Sequence, residues 1–189
     1  MDSNDRSKTR VIASGFTDAK GNYSISIPES ELGQRQIAAI WRRAEGYAAA
    51  RGNDYQTLDS LLQEPLNHQP LVTTPGTEIV IVDPAGKPVP SARVEIGKVK
   101  VVGGVPYPLP EDWRPDFVRE TDSEGRVSFP FVHPGSLDMV TVTPAGQSTR
   151  IEYTGNYFLN YEAKKESPHF TLATIPTGKI AGRLVPAAG

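Results

Sequence analysis

The chain has 189 residues, a formal net charge of −2, 38% hydrophobic residues and no cysteine. This composition supports compact cores of modest size, but the weak charge does not recruit nucleic acid or an anionic membrane surface. Without cysteine the chain has neither disulfides nor a thiol nucleophile. Because of this weak charge we expect no nucleic-acid partner. No apolar run approaches the roughly 18 residues of a membrane-spanning helix, so we also expect no membrane insertion. Seventeen glycines and seventeen prolines favour short strands separated by defined turns.

The first turn signal is the sequence TDAKG at 17–21. In such a turn the Asp18 carboxylate accepts hydrogen bonds from backbone amides just ahead of it, and Gly21 takes a positive φ that a Cβ would penalise. Apolar and polar residues alternate from Tyr23 to Ile27, which predicts a strand after the turn. Compared with a second copy of this pattern further along the chain, two opening strands are missing. We therefore expect an open sheet edge here that pairs with another segment.

Residues 34–50 fit two different structures. Their apolar residues recur at the spacing of an amphipathic helix: Ile37, Ile40, Trp41, Ala44 and Tyr47. The alternative is a strand over 37–42 followed by a turn at 45–47, because AEG at 44–46 matches PAG at 144–146. We favour the strand, since a match in long-range register arises by chance less readily than a short helical pattern.

The clearest strand signals begin with the β-branched run IVIV at 79–82. Asp83 and Gly86 form the turn after it, with the same roles as in the first turn. The alternating sequence ARVEI at 92–96 predicts a second strand. Between the turn and the second strand, residues 87–91 contain Pro88 and Pro90, which lack the amide that a central strand needs. We therefore expect this link either to run along a sheet edge or to cross from one sheet to another.

A further turn of the same kind, TDSEG, lies at 121–125. Asp122 provides its carboxylate and Gly125 its positive φ. Apolar residues alternate over 127–131, which predicts a strand with one buried face. The sequence HPG, which ends at Gly135, terminates that strand.

Between the second strand and TDSEG lies an insertion, residues 97–117. Its first half predicts a hairpin extension, and its second half contains four prolines. Aromatic side chains on a proline-stiffened loop lose little entropy on binding, so Tyr107, Trp113 and Phe117 are candidate ligand-binding residues, with Asp112 on the polar rim. The alternative is that Trp113 and Phe117 fold back and cap the core.

These signals repeat along the chain. TDAKG and TDSEG are 104 residues apart, AEG and PAG are 100 apart, and Gly86 matches Gly189 at a distance of 103. A common period of about a hundred residues is the size of one small β-domain. We therefore expect a partial module at 1–75, a complete module at 76–176, and the first strand of a third at 177–189.

The segments IVIVDPAGKPVPSARVEI (79–96) and TDSEGRVSF (121–129), followed by PG, resemble the carboxypeptidase regulatory-like domain, a transthyretin-like β-sandwich. The resemblance is best over 79–175 and weaker over 11–75. It implies an all-β fold of tandem seven-stranded Greek-key sandwiches, of which the first and third are incomplete. It also implies an accessory module that contacts its neighbours in the same chain, in a periplasmic, cell-surface or secreted protein.

Patterns of enzymatic chemistry are missing from the sequence. It contains no G-x-S-x-G elbow, phosphate loop or dinucleotide glycine motif, and its three histidines are far apart. We therefore expect no catalysis, cofactor or metal. One enzyme family, the intradiol dioxygenases, resembles the chain in its D-x-x-G and T-D-x-x-G segments, and Tyr107 would match one of its iron-binding tyrosines. However, the chain has no His-x-His pair to complete that iron site, so only a degenerate relative fits.

Two functional hypotheses follow. The first is a non-catalytic β-sandwich repeat that acts as a spacer or protein-interaction module in a larger protein. The second is a carbohydrate-binding module that uses the aromatic residues of 97–117. The partner would accordingly be a protein or a polysaccharide.

Overall fold

The computed structural model describes residues 10–31, 35–52, 55–57, 63, 71–100, 106–154 and 169–174. These residues form short strands in several sheets with three 3-10 turns, so the predicted all-β class is confirmed. The strands are β1 (Arg35–Ala38), β2 (Trp41–Arg42), β3 (Ala50–Arg51), β4 (Tyr55–Thr57), β5 (Thr77–Val82), β6 (Arg93–Lys100), β7 (Pro106–Pro108), β8 (Val118–Glu120), β9 (Arg126–Phe129), β10 (Leu137–Thr143), β11 (Ile151–Tyr153) and β12 (His169–Ala173). The 3-10 turns are Glu29–Glu31, Glu111–Phe117 and Pro134–Ser136. The predicted third module at 177–189 lies outside the described residues.

The strands from β5 to β12 lie in two sheets. In the first sheet the order is β11, β10, β6 and β7, and β8 also pairs with β6. In the second sheet the order is β12, β5 and β9, with β12 parallel and β9 antiparallel to β5. The chain changes sheet between β5 and β6 and again between β8 and β9, so both D-x-x-G turns of this region lie at a change of sheet. Two smaller sheets pair β1 with β4 and β2 with β3.

Both large sheets contribute to a single hydrophobic cluster. In β5 the buried residues Ile79 and Ile81 alternate with partly buried ones, and in β6 Val94 and Ile96 do the same. This period of two directs one face of each strand towards the cluster. Full burial of such side chains stabilises a fold by about 1.5–3 kcal/mol each. The other strands contribute Val127, Phe129, Leu137, Val140, Val142, Ile151, Tyr153 and Leu172.

Three D-x-x-G turns of the chain have the same geometry. In each, the aspartate Oδ1 accepts hydrogen bonds from the amides two and four residues further on, at 2.8 and 2.9 Å. The glycine has a φ between 71° and 82°, and its amide donates to the aspartate carbonyl. The pairs are Asp18 with Gly21, Asp83 with Gly86, and Asp122 with Gly125. Hydrogen bonds from the backbone and side chain of Asn22 lower the pKa of the Asp18 carboxyl, because they stabilise its charged form.

The surroundings of the first and last of these turns differ. Strand β5 passes directly over Gly125: Ile81 N donates to Gly125 O at 2.8 Å, and a Cβ on Gly125 would lie 2.5 Å from Ile81 O. At Gly21 a Cβ would meet nothing within 4 Å. Of these two glycines, only Gly125 is required both for the positive φ of the turn and for the close packing of β5.

The threonines that precede the first and the last of these turns also differ in burial. Thr121 is buried, and its hydroxyl accepts from Ala92 N at 2.9 Å and donates to Val89 O at 2.7 Å. These bonds fasten the crossover between β5 and β6 to the turn between β8 and β9. Thr17, at the matching place in the first copy, is exposed.

Residues 22–28 do not form a strand, so this prediction was wrong. Tyr23, Ile25 and Ile27 are partly buried and the serines between them are exposed, so the expected alternation is present. The strands that flank the later turn pair with β6 and β5, whereas no strand among the described residues is paired with 22–28. Without such partners the alternation does not produce a ladder of backbone hydrogen bonds.

The strand after the later turn is shorter than predicted. It ends at Phe129, and Phe131 lies in the following turn, where it is partly buried against the cluster. Pro130 lacks an amide with which to continue the ladder. Beyond it, the amide of Gly135 donates to His133 Nδ1 at 3.1 Å, and the 3-10 turn there leads into β10.

The ambiguous segment 34–50 contains strands rather than a helix in its described part, β1 and β2. Gly46 has a φ of 75°, and Tyr47 N donates to Ala44 O at 3.1 Å. The matching segment has a φ of 70° at Gly146 and a 3.1 Å bond from the Gln147 amide back to residue 144. The two AG-type turns therefore repeat in structure as well as in sequence.

Replacement of Gly125 and of Gly21 by alanine tests how the later turn is packed. Both changes force an L-residue to positive φ, which costs about 1–2 kcal/mol. Only Gly125→Ala also drives a Cβ into the backbone of β5, so we expect a total loss of about 3 kcal/mol or more. Urea unfolding of both variants measures the difference. Equal losses would contradict the close packing of β5 on Gly125.

A tyrosine joins the outer strands of the two large sheets. Tyr153 on β11 is 7% exposed, and its hydroxyl donates to Ala173 O of β12 at 2.5 Å. Burial raises the pKa of Tyr153, because the phenolate would lose hydration. This bond therefore requires the neutral side chain.

Tyr153→Phe should cost about 1 kcal/mol at neutral pH, because Ala173 O loses this donor. The folded-state pKa of Tyr153 lies above its unfolded value of about 10. Its contribution is therefore fully present below that value and is lost as the pH rises through the folded-state pKa. Urea unfolding from neutral to strongly alkaline pH should show a smaller alkaline loss for Tyr153→Phe than for the parent chain. The control is Tyr47→Phe, since Tyr47 is 38% exposed; an unchanged alkaline loss in Tyr153→Phe would disprove the assignment.

Candidate functional site

The candidate ligand-binding residues lie in the second half of the insertion. Residues 106–117 are called the aromatic loop here. Its first strand, β7, forms the predicted hairpin with β6, in which Tyr107 lies opposite Val99. Leu109 and Phe117 are each 1% exposed and belong to the hydrophobic cluster. The loop is therefore anchored at both ends, and the 3-10 turn between them presents Trp113 partly to the outside.

Trp113 contacts residues from the first part of the chain. Its ring meets that of Trp41 edge to face, with 5.9 Å between the ring centroids and an interplanar angle of 73°. The guanidinium carbon of Arg43 lies 4.9 Å from the Trp113 centroid and 5.3 Å from that of Phe131. Arg43 also forms an ion pair with Asp116 at the end of the loop. Aromatic pairs and arginine–aromatic contacts of these kinds are each stabilising by about 0.5–1.5 kcal/mol.

Tyr107 has a similar arginine contact. The guanidinium carbon of Arg51 lies 3.8 Å from the centre of its ring. Between the two arginines, Ala49 N donates to Phe131 O at 2.8 Å. Residues 41–51, called the docking segment here, therefore cover the aromatic loop with two guanidinium groups and one indole, and a backbone hydrogen bond joins the same segment to Phe131.

The four candidate ligand-binding residues differ in burial and in the contacts that they make. Phe117 is in the core, so its ring offers no face to a ligand. Trp113 and Tyr107 are partly buried, and each has an arginine of the docking segment against its ring. Asp112 is exposed. The sequence carries no sign of the contacts of Arg43 and Arg51, because an arginine does not indicate which distant ring it will cover.

Within the described residues, no group of three or more His, Asp or Glu side chains is placed to hold a metal ion. In that same part of the chain, no helix has the length and apolar character needed to cross a bilayer. His133 accepts a hydrogen bond from a backbone amide within its own turn.

Comparisons with known proteins gave no relatives. No family model matches the chain, and neither the curated proteins nor the solved structures include a significant match.

Phe117→Ala should cost about 3–5 kcal/mol, because it leaves a cavity in the hydrophobic cluster. Asp112→Ala, five residues earlier on the exposed side of the same turn, should change the stability by less than about 0.5 kcal/mol. Chemical unfolding measures both variants. A small loss for Phe117→Ala would mean that this ring is not part of the core.

Proposed function

We propose that the chain is a non-catalytic accessory repeat that acts as a spacer or protein-interaction module in a larger protein. It would consist of tandem seven-stranded Greek-key β-sandwiches similar to the carboxypeptidase regulatory-like domain. The strands of the two large sheets support this proposal: among the described residues they number seven apart from β7, which belongs to the insertion. The shared hydrophobic cluster and the recurrence of the same turns support it as well.

The main support for the spacer role is the contact of the docking segment with the aromatic loop. A spacer has to hold successive modules in one orientation, which requires contacts between them that persist. Here Trp41 and Arg43 pack on Trp113, and Arg51 packs on Tyr107. The aromatic surface is therefore used within the chain.

Carbohydrate binding by the aromatic loop is the second candidate. Trp113 and Tyr107 keep partly exposed rings, which is the observation in its favour. A sugar that stacked on the ring face covered by Arg43 or Arg51 would first have to displace that arginine. Its affinity would be reduced by the free energy of that contact, about 0.5–2 kcal/mol.

Trp113→Ala should loosen the docking segment while leaving the core intact. We expect a loss of about 1–2 kcal/mol, which is smaller than for a buried aromatic residue. Spin labels at Glu45→Cys and Ser123→Cys, both exposed sites in a chain without other cysteines, report the orientation of the two parts. Their distance distribution should be narrow in the parent chain and broad in Trp113→Ala.

Asp112→Ala is the matched control and should keep the narrow distribution. A distribution that is already broad in the parent chain would contradict the spacer role. If Trp113→Ala instead abolished retention on a polysaccharide column at unchanged label distances, the carbohydrate-binding alternative would replace it.

A further inference from the structure

A groove with three arginines lies on the outer side of the first sheet, away from the hydrophobic cluster. Its floor includes Arg93 and Glu95 of β6, which alternate with the buried Val94 and Ile96 and therefore point away from the core. Val118 of β8 continues the floor. The volume of this arginine groove is about 460 Å³, within the usual range of about 300–1,000 Å³ for ligand sites.

The walls of the groove add two further guanidinium groups. Glu111, Arg114 and Pro115 come from the 3-10 turn of the aromatic loop, and Arg150 precedes β11. Arg93 is paired with Glu95 at 3.2 Å. Among the described residues, neither Arg114 nor Arg150 makes an ion pair or a side-chain hydrogen bond. Two guanidinium groups thus remain available in a chain whose overall charge is negative.

The wall that carries Arg114 is held in place from its other side. Phe117 anchors the end of the 3-10 turn in the core, and Trp113 and Asp116 are fixed by the docking segment. A wall that is already ordered loses less entropy when a ligand binds. The groove is therefore preorganised by the same contacts that cover the aromatic loop.

We propose that the arginine groove binds an extended acidic segment of a partner protein. Guanidinium groups match carboxylates as bidentate donors, so Arg114 and Arg150 would take acidic side chains. Glu95 and Glu111 are acceptors for the backbone amides that such a segment carries. Among the described residues that line the groove none is aromatic, and its three guanidinium groups outnumber its two carboxylates, which favours an acidic partner. The inference rests on the proposed role as an interaction module.

The probe is a synthetic peptide of alternating Glu and Ser, titrated into the whole chain by calorimetry at physiological salt. We expect measurable binding, and a loss of about tenfold or more in affinity for the double variant Arg114→Gln with Arg150→Gln. The control is Arg119→Gln, since Arg119 is exposed on β8 but does not line the groove. A matched peptide of alternating Gln and Ser should not bind.

Absence of binding to the parent chain would overturn the proposal, and so would an equal loss in Arg119→Gln, which would indicate unspecific charge attraction. Stronger binding of an oligogalacturonate through the same two arginines would assign the groove to an acidic glycan instead. The label distances of the parent chain and Trp113→Ala are measured without any peptide. Failure of the groove and failure of the spacer role are therefore distinguishable.

Discussion

The turn at Asp122–Gly125 is the constraint on which the two large sheets depend. It redirects the chain from one sheet to the other, and β5 passes so close above it that only a glycine fits. The Thr121 hydroxyl beside it fastens the opposite crossover through two backbone bonds. The crossover from β5 to β6 and the one from β8 to β9, two of the four changes of sheet between β5 and β12, are thus joined at one place.

The first copy of this turn shows which features of the structure depend on local sequence and which depend on tertiary contacts. Asp18 and Gly21 reproduce the hydrogen bonds and the φ of the later turn, because these depend on a few neighbouring residues. The residues after them have the right alternation but no ladder, because a strand needs a partner with free backbone groups. A turn is therefore specified by its own sequence, and a strand is not.

This difference explains what could be predicted from the sequence. The all-β class, the D-x-x-G turns and the hairpin of β6 with β7 follow from local chemistry and periodicity. The strand over 41–42 could be chosen over a helix only because a second copy gave its register. The contacts of Arg43 and Arg51 with the aromatic loop join residues more than fifty positions apart and have no period, so the sequence carries no signal of them.

The docking segment also changes how the aromatic loop should be interpreted. A proline-stiffened loop with aromatic side chains favours any partner that can cover it, since little entropy is lost on contact. A segment of the same chain is present at a high effective concentration, so it occupies such a surface before a dilute ligand does. The contacts of Trp41, Arg43 and Arg51 are individually weak, but they share one tether and form together. The features that suggest a ligand site therefore serve equally well to fix one part of a chain on another, and only the identity of the covering residues distinguishes the two.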